Sequence, residues 1–384
     1  MKIAYISIVR DPWGGSEELW ASSAEEALRN GHTVIISAFK RPDLSQNFIK
    51  LKNAGAKLLL RRGYIAPETG MYRRIATKAF NFILNKIFNP FVDITRLRPD
   101  VIVYTGACYS IADDAQLLKL LKSSTAKFFI NNQVNIEYSR PINNAEAEII
   151  KNAYDRADKV LFVSKRNIQT AERHLIYKIE NQLIVRNPVN IQDVSLITFP
   201  NVTGVIRFAM VANLLVNHKG HDILFEVLNQ PEWRQRNYQL NIYGSGNDEL
   251  YIKNLVDWFN LRDKIIFHGR TNDIRKVWEE NHVLLMPSLN EGIPLAVVEA
   301  MLCGRVVIAT DTGGHSEWIN DSENGYIAEG ANILSFGRAL ERAWQEKESW
   351  KEKGEKAHQT ALSMYDPFAG KTFLNLIVNH GRRS

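Results

Sequence analysis

Short apolar, β-branched runs alternate with longer helix-patterned stretches along this chain, and the alternation occurs twice, on either side of one proline-marked break. Residues 2–9 read as a strand, 15–30 as a helix, and 31–38 as a second strand opened by Gly31, which suits the end of the preceding helix. Runs at 101–104, 128–131 and 159–163 continue the strand pattern, with helices at 146–157 and from about residue 166. A short run at 184–186 closes the first half. Residues 187–201, with Pro188 and Pro200, lose periodicity and read as a linker. The pattern then restarts, with strands at 207–211, 239–243, 265–267, 283–286 and 306–309 and helices near 220–228, 248–259 and from 294. Alternation of this kind demands parallel sheets with right-handed crossovers. The expected architecture is therefore α/β: two doubly wound domains facing a cleft, divided as 1–190, a linker 191–204, 205–365 and a closing segment 366–384.

Composition narrows the class further. A chain of 384 residues with 45% hydrophobic and 23% charged residues has ample material for two cores. No window approaches the ~18 uncharged apolar residues of a membrane span. The opening MKIAYISIVRDPWGG lacks a long apolar stretch and a small-residue cleavage site, so it reads as a first strand and not as a signal peptide. Two cysteines, Cys108 and Cys303, cannot build a disulfide framework, which is cytoplasmic usage. The excess of 48 basic over 42 acidic residues, +6, favours anionic partners, but no helix-turn-helix or finger signature accompanies it, so nucleic acid is not expected. No Cys/His cluster has metal spacing and no Asp-x-Asp occurs, so neither a metal nor another cofactor is expected.

The densest constellation is EGIPLAVVEAMLCG, residues 291–304, directly after the apolar run VLLMPS. Pro294 suits the first helical position and Gly304 the stop. A helix starting there turns free N–H groups toward the sheet's carboxyl edge, where open α/β sheets bind ligands and a phosphate is stabilised. Glu291 and Glu299, eight positions apart, would lie roughly 12 Å apart if one helix carried both. That exceeds the ~5–9.5 Å of a glycosidase carboxylate pair. It suits two carboxylates gripping hydroxyls at opposite ends of a long ligand.

This segment, followed by Thr310-Asp311-Thr312-Gly313-Gly314, Glu317 and Asn324-Gly325-Tyr326, resembles the retaining glycosyltransferases of family 4. Upstream, FAMVANLLVNHKG (208–220), Tyr243-Gly244-Ser245-Gly246 and Phe267-His268-Gly269-Arg270 fit the same family order, as do Gly14-Gly15-Ser16-Glu17 and Phe162-Val163-Ser164. The resemblance covers about residues 1–330. It implies a GT-B fold, two Rossmann-like domains around a nucleotide-sugar cleft, and transfer of a sugar from a UDP- or GDP-type donor to an acceptor hydroxyl with retained configuration. The leaving phosphate would take the acceptor proton. By the same resemblance Glu299 would bind the ribose hydroxyls and Glu291 the donor sugar. Backbone N–H groups near Ile293 to Leu295 would hold the diphosphate with Lys219, Gly14 and Gly15 would let the backbone approach the sugar phosphate, Arg270 would flank the base, and Gly244, Gly292 and Pro294 would be further donor-binding residues. Lys219 and Glu291 would be the catalytic pair.

Two departures stand out. Asn213 occupies a position where the family usually has a diphosphate-binding arginine, and Asn131, Asn132 and Gln133 replace a first-domain histidine, leaving Gln133 as the candidate sugar contact. A catalytically inactive nucleotide-sugar-binding subunit and a same-fold epimerase therefore stay open as alternatives. The resemblance further implies that the last helix crosses back to the first domain; Phe368, Phe373, Leu374 and Ile377 share a helical face. The acceptor would be a glycan or a lipid-linked glycan of bacterial surface synthesis. Residues 61–91, RRGYIAPETGMYRRIATKAFNFILNKIFNPF, are basic and apolar, which suits an anionic membrane surface and a cytoplasmic protein peripheral to it.

Overall fold

The computed structural model describes residues 1–9, 13–40, 44–61, 89–137 and 141–379. The first sheet contains β1 (Lys2–Ser7), β2 (Thr33–Phe39), β3 (Lys57–Arg61), β4 (Val101–Gly106), β5 (Lys127–Asn132), β6 (Lys159–Phe162) and β7 (Gln182–Ile184). Its order is β3-β2-β1-β4-β5-β6-β7, all parallel, with Ile3 facing Val34 on one side and Val101 on the other. The second contains β8 (Ile206–Val211), β9 (Tyr238–Tyr243), β10 (Ile265–Gly269), β11 (Val283–Met286), β12 (Val306–Thr310) and β13 (Tyr326–Ala328), ordered β10-β9-β8-β11-β12-β13 and also parallel. Both orders reverse direction beside the domain's first strand. In such sheets the crevice outside the strand carboxyl ends, at that reversal, is where ligands bind.

Four helices open onto that crevice or tie the domains together: α1 (Gly15–Arg29), α2 (Lys165–Leu175), α3 (Leu295–Leu302) and α4 (Ala369–Asn379). Every residue of β11 is buried, and seven of the eight residues of α3 are buried too. Strands covered on both faces read as unbroken apolar runs, which explains why VLLM stands out in the sequence. Helix α4 packs on α1, with Ala369, Phe373, Leu374 and Ile377 in one cluster with Ile3, Tyr5 and Trp20 of the first domain. Burying an aliphatic or aromatic side chain of that size contributes about 1.5–3 kcal/mol, so α4 is held to the first domain by its own apolar face.

Several sequence expectations shift. Phe368 precedes α4 and is 69% exposed, so it does not share the buried face. Pro294 is the N-cap and Leu295 the first helical residue. The loop from Glu291 to Pro294 is not helical, and the 12 Å axial separation of the two glutamates does not apply. Of the basic segment, residues 62–88 lie outside the described residues. Its first member, Arg61, is not a solvated cation: it ends β3, is 4% exposed, and donates to Ser37 Oγ and the Ser7 carbonyl, each at 2.6 Å. The guanidinium lies over the rings of Phe39 and Phe91, and burial lowers its pKa to about 10. Phe91 is likewise fully buried in the first-domain core. Strands β3 and β13 and the helices Gln46–Asn53, Ala115–Ser123, Ile333–Gln345 and Trp350–Met364 had no counterpart in the sequence reading.

Candidate functional site

The carboxyl ends of the two sheets face each other across a cleft of about 710 Å³, within the ~300–1,000 Å³ of small-molecule sites. Gly14, Gly15, Gln133, Asn213, Lys219, Gly244, Arg270, Glu291, Gly292, Ile293, Pro294, Leu295 and Glu299 all line it. Topology explains the convergence. Gly14 and Gly15 follow β1, Gln133 follows β5, Asn213 follows β8, Gly244 follows β9, Arg270 follows β10, and residues 291–295 follow β11.

Lys219 ends the short helix Val216–Lys219, and its Nζ lies 2.6 Å from Glu291 Oε1. Both side chains are largely enclosed, at 17% and 8% exposure. The two residues assigned to phosphate and sugar are therefore partners of each other. A phosphate arriving here meets a lysine whose charge is already half-committed, and a sugar hydroxyl meets a carboxylate whose geometry that lysine holds.

Glu299, 2% exposed, accepts from the Asn190 backbone N–H at 2.9 Å and from Asn190 Nδ2 at 3.2 Å, both at Oε1. Burial outweighs these two bonds and raises its pKa to about 7, with a small further push from Glu18 on α1. Glu18 also lines the cleft; burial raises its pKa while the indole N–H of Trp13, donating to it at 2.6 Å, lowers it.

The N-cap residues of α1 and α3, Gly14 and Pro294, make no side-chain capping bond, and the Glu17 and Val297 N–H groups donate to their carbonyls at 2.9 and 3.1 Å. A Cβ on Gly15 would lie 3.5 Å from Leu295 Cδ1, so the two uncapped helix starts are neighbours. The first turns of two helices thus meet in one place, and helix N-termini stabilise an anion there. Neither Gly14 nor Gly15 has a positive φ or a steric conflict with the described residues. Gly244 differs: its φ is +147°, and a Cβ would lie 1.8 Å from the Ala212 carbonyl oxygen. At Gly292 a Cβ would lie 2.0 Å from the Gln133 carbonyl oxygen, a contact across the cleft.

Asn213 is exposed in the cleft, and Arg270 is exposed at its rim with Nε donating to Ser245 Oγ at 2.6 Å. Gln133 is buried; its amide donates to Asn131 Oδ1 at 3.1 Å and accepts from Asn187 Nδ2 at 2.8 Å. Arg305, a second cation near the motif, is fully buried and binds carbonyls of Trp278, Asn281, Ile197 and Thr198. It ties the linker to the second domain and does not line the cleft.

Residues without a signal in the sequence complete the site: Asn187 and Asn190 on the linker side, Trp13 and Glu18 on the first-domain wall. Tyr243, from the Gly-x-Gly motif, also lines it and stacks on His268 at 4.5 Å. Arg166, at the start of α2, joins the domains: it pairs with Glu137 at 2.9 Å and with Asp311 at 2.8 Å, and its backbone N–H donates to Glu317 at 3.2 Å. Among the described residues no group of three or more His, Cys, Asp or Glu could hold a metal ion.

Residues 203–360 match the family model of glycosyl transferases, group 1. A glycosyltransferase of Haemophilus influenzae is 33% identical over 128 residues, 33% of this chain and 36% of that protein. The poly(ribitol-phosphate) alpha-N-acetylglucosaminyltransferase of Staphylococcus aureus is 24% identical over 237 residues, 62% of this chain and 46% of that protein. The chain thus spans a third to a half of the length of these curated relatives. Solved structures match end to end. Anabaena HepE with UDP and glucose superposes with a TM-score of 0.74 at 16% identity, covering 99% of each chain. Staphylococcus aureus TarM gives 0.70 at 14% identity, covering 98% of this chain and 100% of that one. At such identities the likeness is one of fold, and the fold is GT-B.

Proposed function

We propose that this chain, whose residues 203–360 match the group 1 glycosyl transferases, moves a sugar from a nucleoside diphosphate sugar to an acceptor hydroxyl with retained anomeric configuration. The observation that carries this reading is the meeting of Lys219, Glu291 and two uncapped helix starts in one cleft closed by the opposite sheet. The chemistry needs no strong protein base. It needs a departing diphosphate stabilised where its charge develops and an acceptor oxygen held against the anomeric carbon. Lys219 and the N–H groups of Leu295 and Ala296 supply the first. The first-domain wall, Ile8, Val9, Gly106 and Ala107, supplies room for the second.

Glu299 would hold the ribose and Glu291 the sugar ring, without a metal. The Anabaena structure is titled a complex with UDP and glucose, and the Staphylococcus aureus relative is named for transfer to poly(ribitol phosphate). These favour a uridine donor over a guanosine one and a bacterial surface glycan or its lipid-linked precursor as acceptor. A thermal-shift screen of UDP and GDP sugars tests the donor, since a ligand bound only by the folded state raises the melting point. Nucleotide release that depends on added acceptor then separates a transferase from an inactive binding subunit or an epimerase. Stabilisation by no nucleotide sugar at millimolar concentration would falsify the reading.

A further inference from the structure

We propose that Asn190, on the segment linking the two domains, is a positioning residue that holds Glu299 as a charged acceptor for the nucleotide. The inference rests on the proposed nucleotide-sugar donor and deepens it. Both Asn190 donors, its backbone N–H at 2.9 Å and Nδ2 at 3.2 Å, meet the same oxygen, Glu299 Oε1. Oε2 accepts no hydrogen bond from a described residue, and Glu299 lines the cleft. One oxygen is thus spent on orientation and the other is left for a ligand hydroxyl.

The need for such a clamp comes from where Glu299 sits. It is 2% exposed on a helix buried almost all round, where removal from water disfavours a carboxylate. The charged and titratable groups around it offer little relief. Glu18 of α1 opposes its charge from across the cleft, and Cys303 lies one turn further along α3. Arg275, Asp193 and Arg305 bear on Cys303, and His358 of the helix Trp350–Met364 bonds the Leu302 carbonyl at the far end of α3. Lys219, a cation that lines the cleft, is paired with Glu291. The two N–H groups of Asn190 are therefore the chief groups favouring the ionised form, and burial still leaves it titrating at about 7. Above that pH Glu299 is a carboxylate; as pH falls through it, ligand hydroxyls lose a charge-assisted acceptor.

The same short segment is tied at its other end to the first domain, where Asn187 Nδ2 donates to Gln133 Oε1 at 2.8 Å. Asn187 and Asn190 thus connect the first-domain wall to the nucleotide carboxylate through one turn of chain.

The test is calorimetric titration of the full chain with UDP, and in parallel with GDP, from pH 6 to pH 9. Wild type, Asn190→Ala, Asn190→Asp and Glu299→Gln are compared, each checked for an unchanged melting point. Dividing each affinity by that of Glu299→Gln at the same pH cancels titration of the nucleotide's own phosphate. Wild type should weaken by up to about tenfold between pH 8 and pH 6, as a charged acceptor becomes neutral. Asn190→Ala removes one of the two donors and leaves the backbone N–H to orient Oε1, so it should move this acid limb to higher pH and return to within about twofold of wild type at pH 9, where the carboxyl is ionised either way. Asn190→Asp should move it further. An acid limb in both variants superimposable on wild type, a weakening equal at every pH, or a wild-type affinity with no limb would overturn the proposal while leaving the donor reading standing. Binding of neither UDP nor GDP by wild type would overturn both.

Discussion

A single added methyl group at residue 292 should separate nucleotide binding from turnover. A Cβ there falls 2.0 Å from the Gln133 carbonyl oxygen and 2.9 Å from Val163 Cγ2. Carbon–oxygen contacts below 3.0 Å are essentially not seen, so about 1 Å of room must be found. The obstructing atom is backbone. The Gln133 N–H is bonded to the Gly106 carbonyl at 3.1 Å and the Val134 carbonyl accepts from Cys108, so the carbonyl cannot swing away alone. On the other side the Gly292 carbonyl accepts from Gly314 N–H at 2.7 Å. What remains able to yield is the gap between domains. Opening it by about 1 Å displaces the start of α3 from the α1 loop, and misplacement of that size can cost as much as ~10²-fold in rate. Gly292→Ala should therefore lower kcat at least about tenfold while UDP affinity, which the proposed site draws chiefly from Lys219, Glu299 and the start of α3 on the second domain, changes less than about threefold. Overpacking should cost about 1–3 kcal/mol, lowering the melting point by a few degrees. Because the clash is with a main-chain oxygen, Gln133→Ala should not restore turnover. Wild-type kcat in Gly292→Ala, or nucleotide affinity lost in step with turnover, would refute the argument.

Glu299→Gln and Lys219→Ala should each reduce transfer at least about tenfold with the fold retained, the scale of one charge-assisted contact; near-normal turnover and unchanged UDP affinity in both would remove these residues from the site. Asn213 is exposed in the cleft, so Asn213→Arg should tighten UDP binding, by up to about tenfold if the new cation reaches the diphosphate; weaker binding measured by calorimetry would show that the space is needed by something else. Residues 62–88 carry Arg73, Arg74 and Lys78 amid apolar positions, and at about 1 kcal/mol per basic residue near an anionic surface they should bring the protein down with anionic vesicles but not neutral ones. Equal, negligible sedimentation with both, or no loss when the three become Glu, would count against it.

What the sequence made legible was whatever is set locally. Central strands such as β11 announce themselves because both faces are covered, and the helix after it because Pro294 and Gly304 bracket an apolar run. Edge strands do not: in β3 only Arg61 is buried, and its neighbours are charged or half-exposed. Arg61 itself was misread for a physical reason. A basic residue heading a basic segment looks solvated, and only Ser7, Ser37, Phe39 and Phe91, brought from other places in the chain, make its burial tolerable. The residues that line the cleft were legible where a strand end and a turn glycine mark them, but their partners were not. Asn190 lies in a stretch recognised only by its lack of periodicity, 109 positions before Glu299. Lys219 and Glu291, 72 positions apart, were each assigned to a ligand, and folding first assigns them to one another. That pairing changes how their removal must be read. In the proposed reading Lys219→Ala takes a cation from the diphosphate, and it also strands a carboxylate that is 8% exposed, a cost of its own. Lys219→Ala combined with Glu291→Ala removes both charges, so the part of the single variant's loss that the double variant recovers measures the stranded carboxylate, and the part that stays lost is the share owed to the departing phosphate and the sugar.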